Sequence, residues 1–402
     1  MKKFIFSAPL THSDWMLHDN TPAWGEEGVR TMLVQCKKFG FSRIYWRVFD
    51  AGKATYFSKL ADPMIYTQAD KPSHNDPDWI GVADELVERY KVLDYTKFDT
   101  LEAAVRIGHE LGLEIYAWLT VNEDDHGFGY ASRFAKANPE YLWTHRDGRK
   151  FHSQMSFAFP KVCEYKLGLI KELLAYDVDG LFLDWMRTGD IRDNPHSDGN
   201  GVAEYGYEMP CIEAFESKYG VSPFSVENGD ERWVACRAEP RTKFMRDVRA
   251  LTNKRGKKTK ILVMTAPTGS YRGTQPETWD DKTPEWIRKM GFCKIDGSLR
   301  GLLCDIKTWA REGLMDSIVL GGYYMPRFNI ETAYRYLMEE TEGRIETFLY
   351  YWVPWSEKEV ISDTDTARAL GARELLFWEA DYIHNMKESE RREVIKAIQS
   401  RK

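Results

Sequence analysis

The sequence has no Cys-x-x-Cys pair among its six cysteines and no histidine at zinc-finger spacing. That excludes a zinc-finger or zinc-ribbon framework, and no resident metal is expected. The cysteines, Cys36, Cys163, Cys211, Cys236, Cys293 and Cys304, are even in number, which permits disulfides without requiring them. No apolar stretch is long enough to span a bilayer. The opening Met1-Lys2-Lys3 leads into an apolar run only as far as Leu10, too short for a signal-peptide core and without a small-residue cleavage site. That start fits a cytoplasmic chain or a trimmed, exported one. There is no basic stripe, and the net charge of −6 argues against a general nucleic-acid binder. No internal repeat and no low-complexity linker divides the 402 residues, so one domain over 1–402 is expected.

What the sequence has in excess is aromatic side chains: 14 Trp, 21 Tyr and 20 Phe. Many of these fill core, but flat apolar rings are also the surfaces on which sugars stack. Short β-rich runs alternate with amphipathic helical stretches along the whole chain. Eight such runs are read: Phe4–Ala8, Arg43–Phe49, Leu113–Val121, Gly180–Asp184, Lys260–Thr265, Ser317–Gly321, Thr347–Val353 and Glu374–Glu379. Helices are expected over Leu101–Leu111, stopped by Gly112, and over Val162–Leu174. Eightfold strand–helix alternation predicts a (β/α)8 TIM barrel in the α/β class. A doubly wound sheet would carry a Gly-rich phosphate turn after its first strand. Here that position reads Pro9-Leu10-Thr11-His12. Long βα connections follow strands two, four and five, at about 51–96, 187–242 and 269–305. In a barrel these would wall the catalytic face.

Barrel active sites lie at the C-terminal strand ends, so acidic residues there are the first candidates. Strand four ends in Leu183-Asp184-Trp185-Met186-Arg187, which puts Asp184 at the rim with Arg187 close behind. Strand eight ends in Phe377-Trp378-Glu379-Ala380-Asp381. An inward Phe377 would place Glu379 and Asp381 inward too. Strand three ends in Asn122-Glu123-Asp124-Asp125-His126. Arg47 in strand two is expected to match one of these carboxylates, because an unpaired arginine inside a barrel is costly. Trp118, Tyr323, Trp352 and Trp378 lie at or near strand ends, as candidate sugar-stacking rings. Carboxylates ringed by aromatics suit glycoside cleavage, in which one carboxyl protonates the leaving oxygen and another acts as nucleophile or activates water. Asp184 and Glu379 are the expected catalytic pair, with Glu123, Asp125 and Asp381 in reserve for the second place. Arg47, Trp118, Asn122, Glu123, Arg187, Tyr323, Trp352 and Trp378 are the expected substrate contacts. No cofactor is expected.

The stretch Tyr176-Asp177-Val178-Asp179-Gly180-Leu181-Phe182-Leu183-Asp184 resembles the glycoside-hydrolase-like family 10. So do Leu111-Gly112-Leu113-Glu114-Ile115-Tyr116-Ala117-Trp118, the segment from Arg47 to Tyr56, and Glu213-Ala214-Phe215-Glu216-Ser217-Lys218-Tyr219-Gly220-Val221. The resemblance covers roughly residues 1–390 and is best from strand two to strand four. It implies a TIM barrel, a polysaccharide-related role and Asp184 as the leading catalytic position. This chain has Trp185 where the family often has a second Asp, and Thr120-Val121 where it often has Asn-Pro. Two other readings stand beside a glycosidase. One is a barrel that binds glycan without cleaving it. The other is a metal-dependent sugar isomerase or a related barrel lyase, which the mostly loop-borne histidines disfavour. Asp190, Asp193 and Asp198 lack EF-hand spacing and read as an exposed acidic loop.

Overall fold

The structure is a computed structural model that describes residues 4–16, 24–50, 52–65, 88, 91–122, 124, 132–184, 186, 204–255, 260–264, 303–321, 330–351 and 355–402. Its strands are β1 (Ile5–Leu10), β2 (Arg43–Asp50), β3 (Lys53–Ala54), β4 (Asp62–Pro63), β5 (Glu114–Thr120), β6 (Leu142–Thr144), β7 (Lys150–Met155), β8 (Gly180–Asp184), β9 (Lys260–Met264), β10 (Ser317–Gly321), β11 (Glu346–Tyr351) and β12 (Glu374–Phe377). Its helices are α1 (His12–Met16), α2 (Glu26–Phe39), α3 (Thr100–Glu110), α4 (Arg133–Ala137), α5 (Pro160–Leu173), α6 (Met209–Tyr219), α7 (Glu231–Lys254), α8 (Ile306–Arg311), α9 (Ile330–Glu340), α10 (Glu357–Leu370), α11 (Ala380–Asn385) and α12 (Glu388–Ser400). The chain is of the α/β class. Parallel pairing runs β1–β12–β11–β10–β9–β8–β5–β2, and β1 also pairs with β2, so the pairings return on themselves.

Local chemistry accounts for the helices. In α3, the Asp99 carboxylate caps the N–H groups of Leu101 and Glu102. The helix buries Leu101, Ala104, Val105 and Ile107. Gly108 lies so close to β5 that a Cβ there would come within 2.4 Å of Ile115 Cγ1. Helix α5 opens on Pro160, whose fixed φ suits a first turn. Helix α10 starts under a Ser356 cap and stops at Gly371 in the left-handed conformation.

The parallel strands are apolar on both faces, and the two faces feed different cores. Tyr45, Tyr116, Trp118, Phe182, Val319, Phe348, Tyr350 and Leu376 cluster with one another inside the ring. Their sequence neighbours, among them Ile44, Trp46, Ile115, Ala117, Leu181, Leu183, Leu349, Leu375 and Phe377, pack outward with the helices. Phe377 meets Phe6, Phe41 and Trp355. The expectation of an inward Phe377 is therefore corrected: Leu376 belongs to the interior cluster, and Trp378 packs against it. Deep in the ring the Glu374 carboxylate accepts from Ser7 at 2.6 Å, and from Tyr45 and Arg43. Arg43 also reaches Glu114 at 2.7 Å and lies over the Tyr116 ring.

No strand is expected from the sequence between β5 and α5. The antiparallel pair β6–β7 stands there, so strand three of the ring also carries an excursion. The stretch expected as a loop to 242 already holds α6 and the first half of α7. Glu208, just before α6, joins these parts: its carboxyl oxygen accepts from the Thr144 backbone N–H at 2.7 Å. Burial pushes this carboxyl up to about 7, against the pull of the Thr144 and Ser156 donors. The unfolded chain would release that proton near 4.5 and the folded chain near 7. Stability is thus fully present below the lower value and falls as pH rises through the upper one, by at most about 1.4 kcal/mol per pH unit. Glu208→Gln keeps an acceptor for Thr144 and removes the titration. Its melting temperature should match wild type near pH 4.5 and exceed it at pH 8; a gap that does not change with pH would refute the assignment.

Candidate active site

Because the ring strands are parallel, their C-terminal ends share one rim. Asp184 is the last residue of β8, paired with Thr120 across the β5–β8 ladder. It lies two residues beyond the inward Phe182, so the period of two turns it inward as well. Its side chain is 1% exposed, and Oδ2 accepts from Trp118 Nε1 at 3.0 Å. The Asp184 carbonyl also accepts from Val121 N–H at 2.8 Å, which fixes the start of the loop after β5.

Glu379 lies just past the end of β12, at the entry to α11, and the Trp378–Glu379 peptide is cis. Its Oε2 accepts from Thr11 Oγ1, at the end of β1, over 2.9 Å. Burial raises the Glu379 carboxyl well above its ordinary range. The negative charges of Asp381 and Asp14 add to the rise, while Arg47 and the Thr11 hydrogen bond oppose it. The group therefore favours its protonated, neutral form. Arg47 completes the link between the two carboxylates: its guanidinium lies 4.9 Å from the Trp118 ring centroid. Trp118 in turn meets Trp378 edge-on at 4.9 Å, and Trp378 stacks on Tyr350 at 5.2 Å.

The structure thus brings Asp184, Glu379, Arg47, Trp118 and Trp378 together. Asn122 is buried in the turn after β5, beside a segment anchored by the Lys166–Asp124 ion pair at 2.6 Å. Glu123, Asp125, Arg187, Tyr323 and Trp352 lie outside the described residues, as do Asp190, Asp193 and Asp198. Thr11 is a hydroxyl just past β1 and Asp14 lies inside α1, so neither carries the signal of a carboxylate closing a strand that points to Asp184 and Glu379. The same strand-end rule, extended to β1 and to hydroxyls, points to Thr11. His12, the first residue of α1, is sealed against Trp24, Trp46 and Tyr95, with Nδ1 3.0 Å from the Tyr95 hydroxyl. Burial holds its imidazole down to about 3, so it stays neutral at physiological pH.

Among the described residues no group of three or more His, Cys, Asp or Glu is placed to hold a metal ion, and no helix is long and apolar enough to cross a membrane. Cys36, Cys163, Cys211, Cys236 and Cys304 are free thiols, and Cys293 lies outside the described residues.

A family model described as glycosyl hydrolase-like 10 matches residues 13–347. No curated protein matches the chain. Among solved structures, the catalytic domain of a β-amylase from Paenibacillus polymyxa is similar at a TM-score of 0.60 and 9% identity, over 100% of this chain and 99% of that one. A β-galactosidase from the psychrophilic Marinomonas ef1 gives 0.57 at 9% identity, over 98% of this chain and 59% of that one. A β-galactosidase from Bacillus circulans sp. alkalophilus gives 0.56 at 12% identity, over 99% and 55%. The chain spans a little over half the length of these two galactosidases. At such identities the likeness is one of fold.

Proposed function

Since the chain belongs to the glycosyl hydrolase-like 10 family, we propose that it is a single-domain (β/α)8-barrel glycoside hydrolase that cleaves a poly- or oligosaccharide with Asp184 and Glu379. The observation that carries this reading is the meeting of two buried carboxyls on one rim, joined through Trp118 and Arg47. Glu379 is buried, faces two further acidic residues and is held toward its neutral form. Asp184 receives an indole N–H, a donor that suits a carboxylate. Acid-assisted glycoside cleavage uses one carboxyl that holds its proton and a second that is ionised. Glu379 donates its proton to the departing glycosidic oxygen. Asp184 acts on the anomeric carbon as nucleophile, or activates the water that attacks it. This chemistry needs no cofactor.

Arg47 keeps the neutral Glu379 within reach of ionisation, so that the proton can leave when the bond breaks. Trp378, half-buried at the rim, is the described ring placed to stack on a sugar. Asn122, Glu123, Arg187, Tyr323 and Trp352 are proposed as further substrate contacts. One observation favours the second reading, a barrel that binds glycan without cleaving it: Asp184 is 1% exposed. The two readings part on a panel of polysaccharides and oligosaccharides, with starch and β-galactosides included, in which new reducing ends are counted. The hydrolase reading expects wild type to release reducing ends from at least one glycan and Asp184→Asn to release none. Glycan binding without release by wild type would establish the second reading instead.

A further inference from the structure

Trp118 touches the surroundings of both carboxyls. It stands on β5 between β2 and β8, in register with Arg47 on one side and Phe182 on the other. Its Nε1 donates to Asp184, its ring carries the Arg47 guanidinium, and its neighbour Trp378 leads directly into Glu379. Although it lies near a strand end, it is 1% exposed, so its ring is taken up by protein and not offered to a sugar. We infer that Trp118 is a positioning residue with two separable tasks: its N–H holds Asp184 as the carboxylate, and its ring seats Arg47 where that charge reaches Glu379. The inference rests on the reading of Asp184 and Glu379 as the working pair and gives each a physical control.

The indole N–H can donate and cannot accept, so it satisfies a carboxylate oxygen and offers nothing to an acid O–H. A hydrogen bond to the charged form of a group favours that form. In a site this dry, an ionised carboxyl without donors would be costly, and each donor counts. The second task uses the ring alone. A guanidinium over an indole face is held by the ring quadrupole, and more firmly where water is excluded. Among the described residues, the charged groups that bear on Glu379 come from three sides: Asp14 on α1, Arg47 on β2 and Asp381 on α11, with the Thr11 hydroxyl from the end of β1. Arg47 is the cation among them, so its seat sets how far the others can hold Glu379 neutral.

The test reads carboxyl titrations, not turnover, and so is independent of whether a glycan substrate has been found. Protein carrying 13C-labelled Asp and Glu side-chain carboxyls is titrated by NMR, with Asp184→Asn and Glu379→Gln spectra assigning the two signals. Trp118 is replaced in one sample by 3-benzothienylalanine, which keeps the fused ring and puts sulfur in place of the N–H. In a second sample it is Trp118→Leu, which loses the ring. In a third, Arg47→Met leaves Trp118 intact, so the second task is read even if the leucine variant fails to fold. The benzothienyl protein should titrate Asp184 higher by about one to two pH units, the worth of a charge-assisted hydrogen bond, and leave Glu379 in place. Arg47→Met should raise Glu379, with a smaller rise at Asp184, and a folded Trp118→Leu should raise both. An Asp184 titration unchanged by the benzothienyl substitution would overturn the first task. A Glu379 titration unmoved by Arg47→Met would overturn the second. A chain that cleaves nothing on the panel but shows these shifts would overturn the hydrolase reading alone.

Discussion

Asp184→Asn is expected to lower turnover by about a thousandfold or more while leaving the fold and substrate binding in place. Asn has the shape of Asp, and its side-chain oxygen can still accept from Trp118 Nε1, so the end of β8 keeps its local hydrogen bond. What is lost is the negative charge on which either mechanism depends. An amide can neither attack an anomeric carbon nor take a proton from water, and removing a group that works as part of a catalytic unit costs rates of this order. KM should change little, because the loss falls on the transition state. Steady-state kinetics on the panel substrate, beside a melting curve, check it. Turnover within about tenfold of wild type would remove Asp184 from the chemistry.

Glu379→Gln is expected to cost between about a hundredfold and ten-thousandfold on glycosides with ordinary sugar leaving groups, the usual worth of general acid catalysis. The same substitution should cost far less on aryl glycosides whose phenol departs without protonation. That asymmetry identifies an acid. Equal losses on both substrate types would mark Glu379 as nucleophile or base and reverse the assignment. A large loss in Asp381→Asn with near-normal Glu379→Gln would move the acid to the next carboxyl, which lies within electrostatic reach.

The strands were legible because each is a short β-rich run between helical segments. The run read as Gly180–Asp184 and the one read as Ser317–Gly321 match β8 and β10 residue for residue, and others differ at their ends. Strand facing was not legible at β12. In a parallel ring both faces are buried, so Leu376, Phe377 and Trp378 give no polar–apolar alternation to separate inside from outside. Phe377 turns outward, and Glu379 reaches the rim because the strand ends before it. The pair β6–β7 was missed for a related reason: its runs are short and fall in a polar stretch that reads as connection.

Asp184 was legible as a carboxylate closing an apolar strand. The expectation that Arg47 would be matched to a rim carboxylate has its counterpart in the pull Arg47 exerts on Glu379. The role of Trp118 was not legible, since a tryptophan near a strand end can face sugar or seal the site. Its burial and the N–H it gives to Asp184 favour the second. Thr11 and Asp14 come to Glu379 from the opposite end of the sequence, a proximity that only closure between β1 and β12 creates.

The central claim is the division of labour between an ionised Asp184 and a protonated Glu379, and the pH dependence of kcat/KM tests it most directly. Activity should fall at low pH as Asp184 gains a proton, and at high pH as Glu379 loses one. The burial and like charge around Glu379 place that upper limb well above the ordinary carboxyl range. On an aryl glycoside that needs no acid, Glu379→Gln should keep the low-pH limb and abolish the high-pH one. A high-pH limb that persists unchanged in Glu379→Gln would contradict the account.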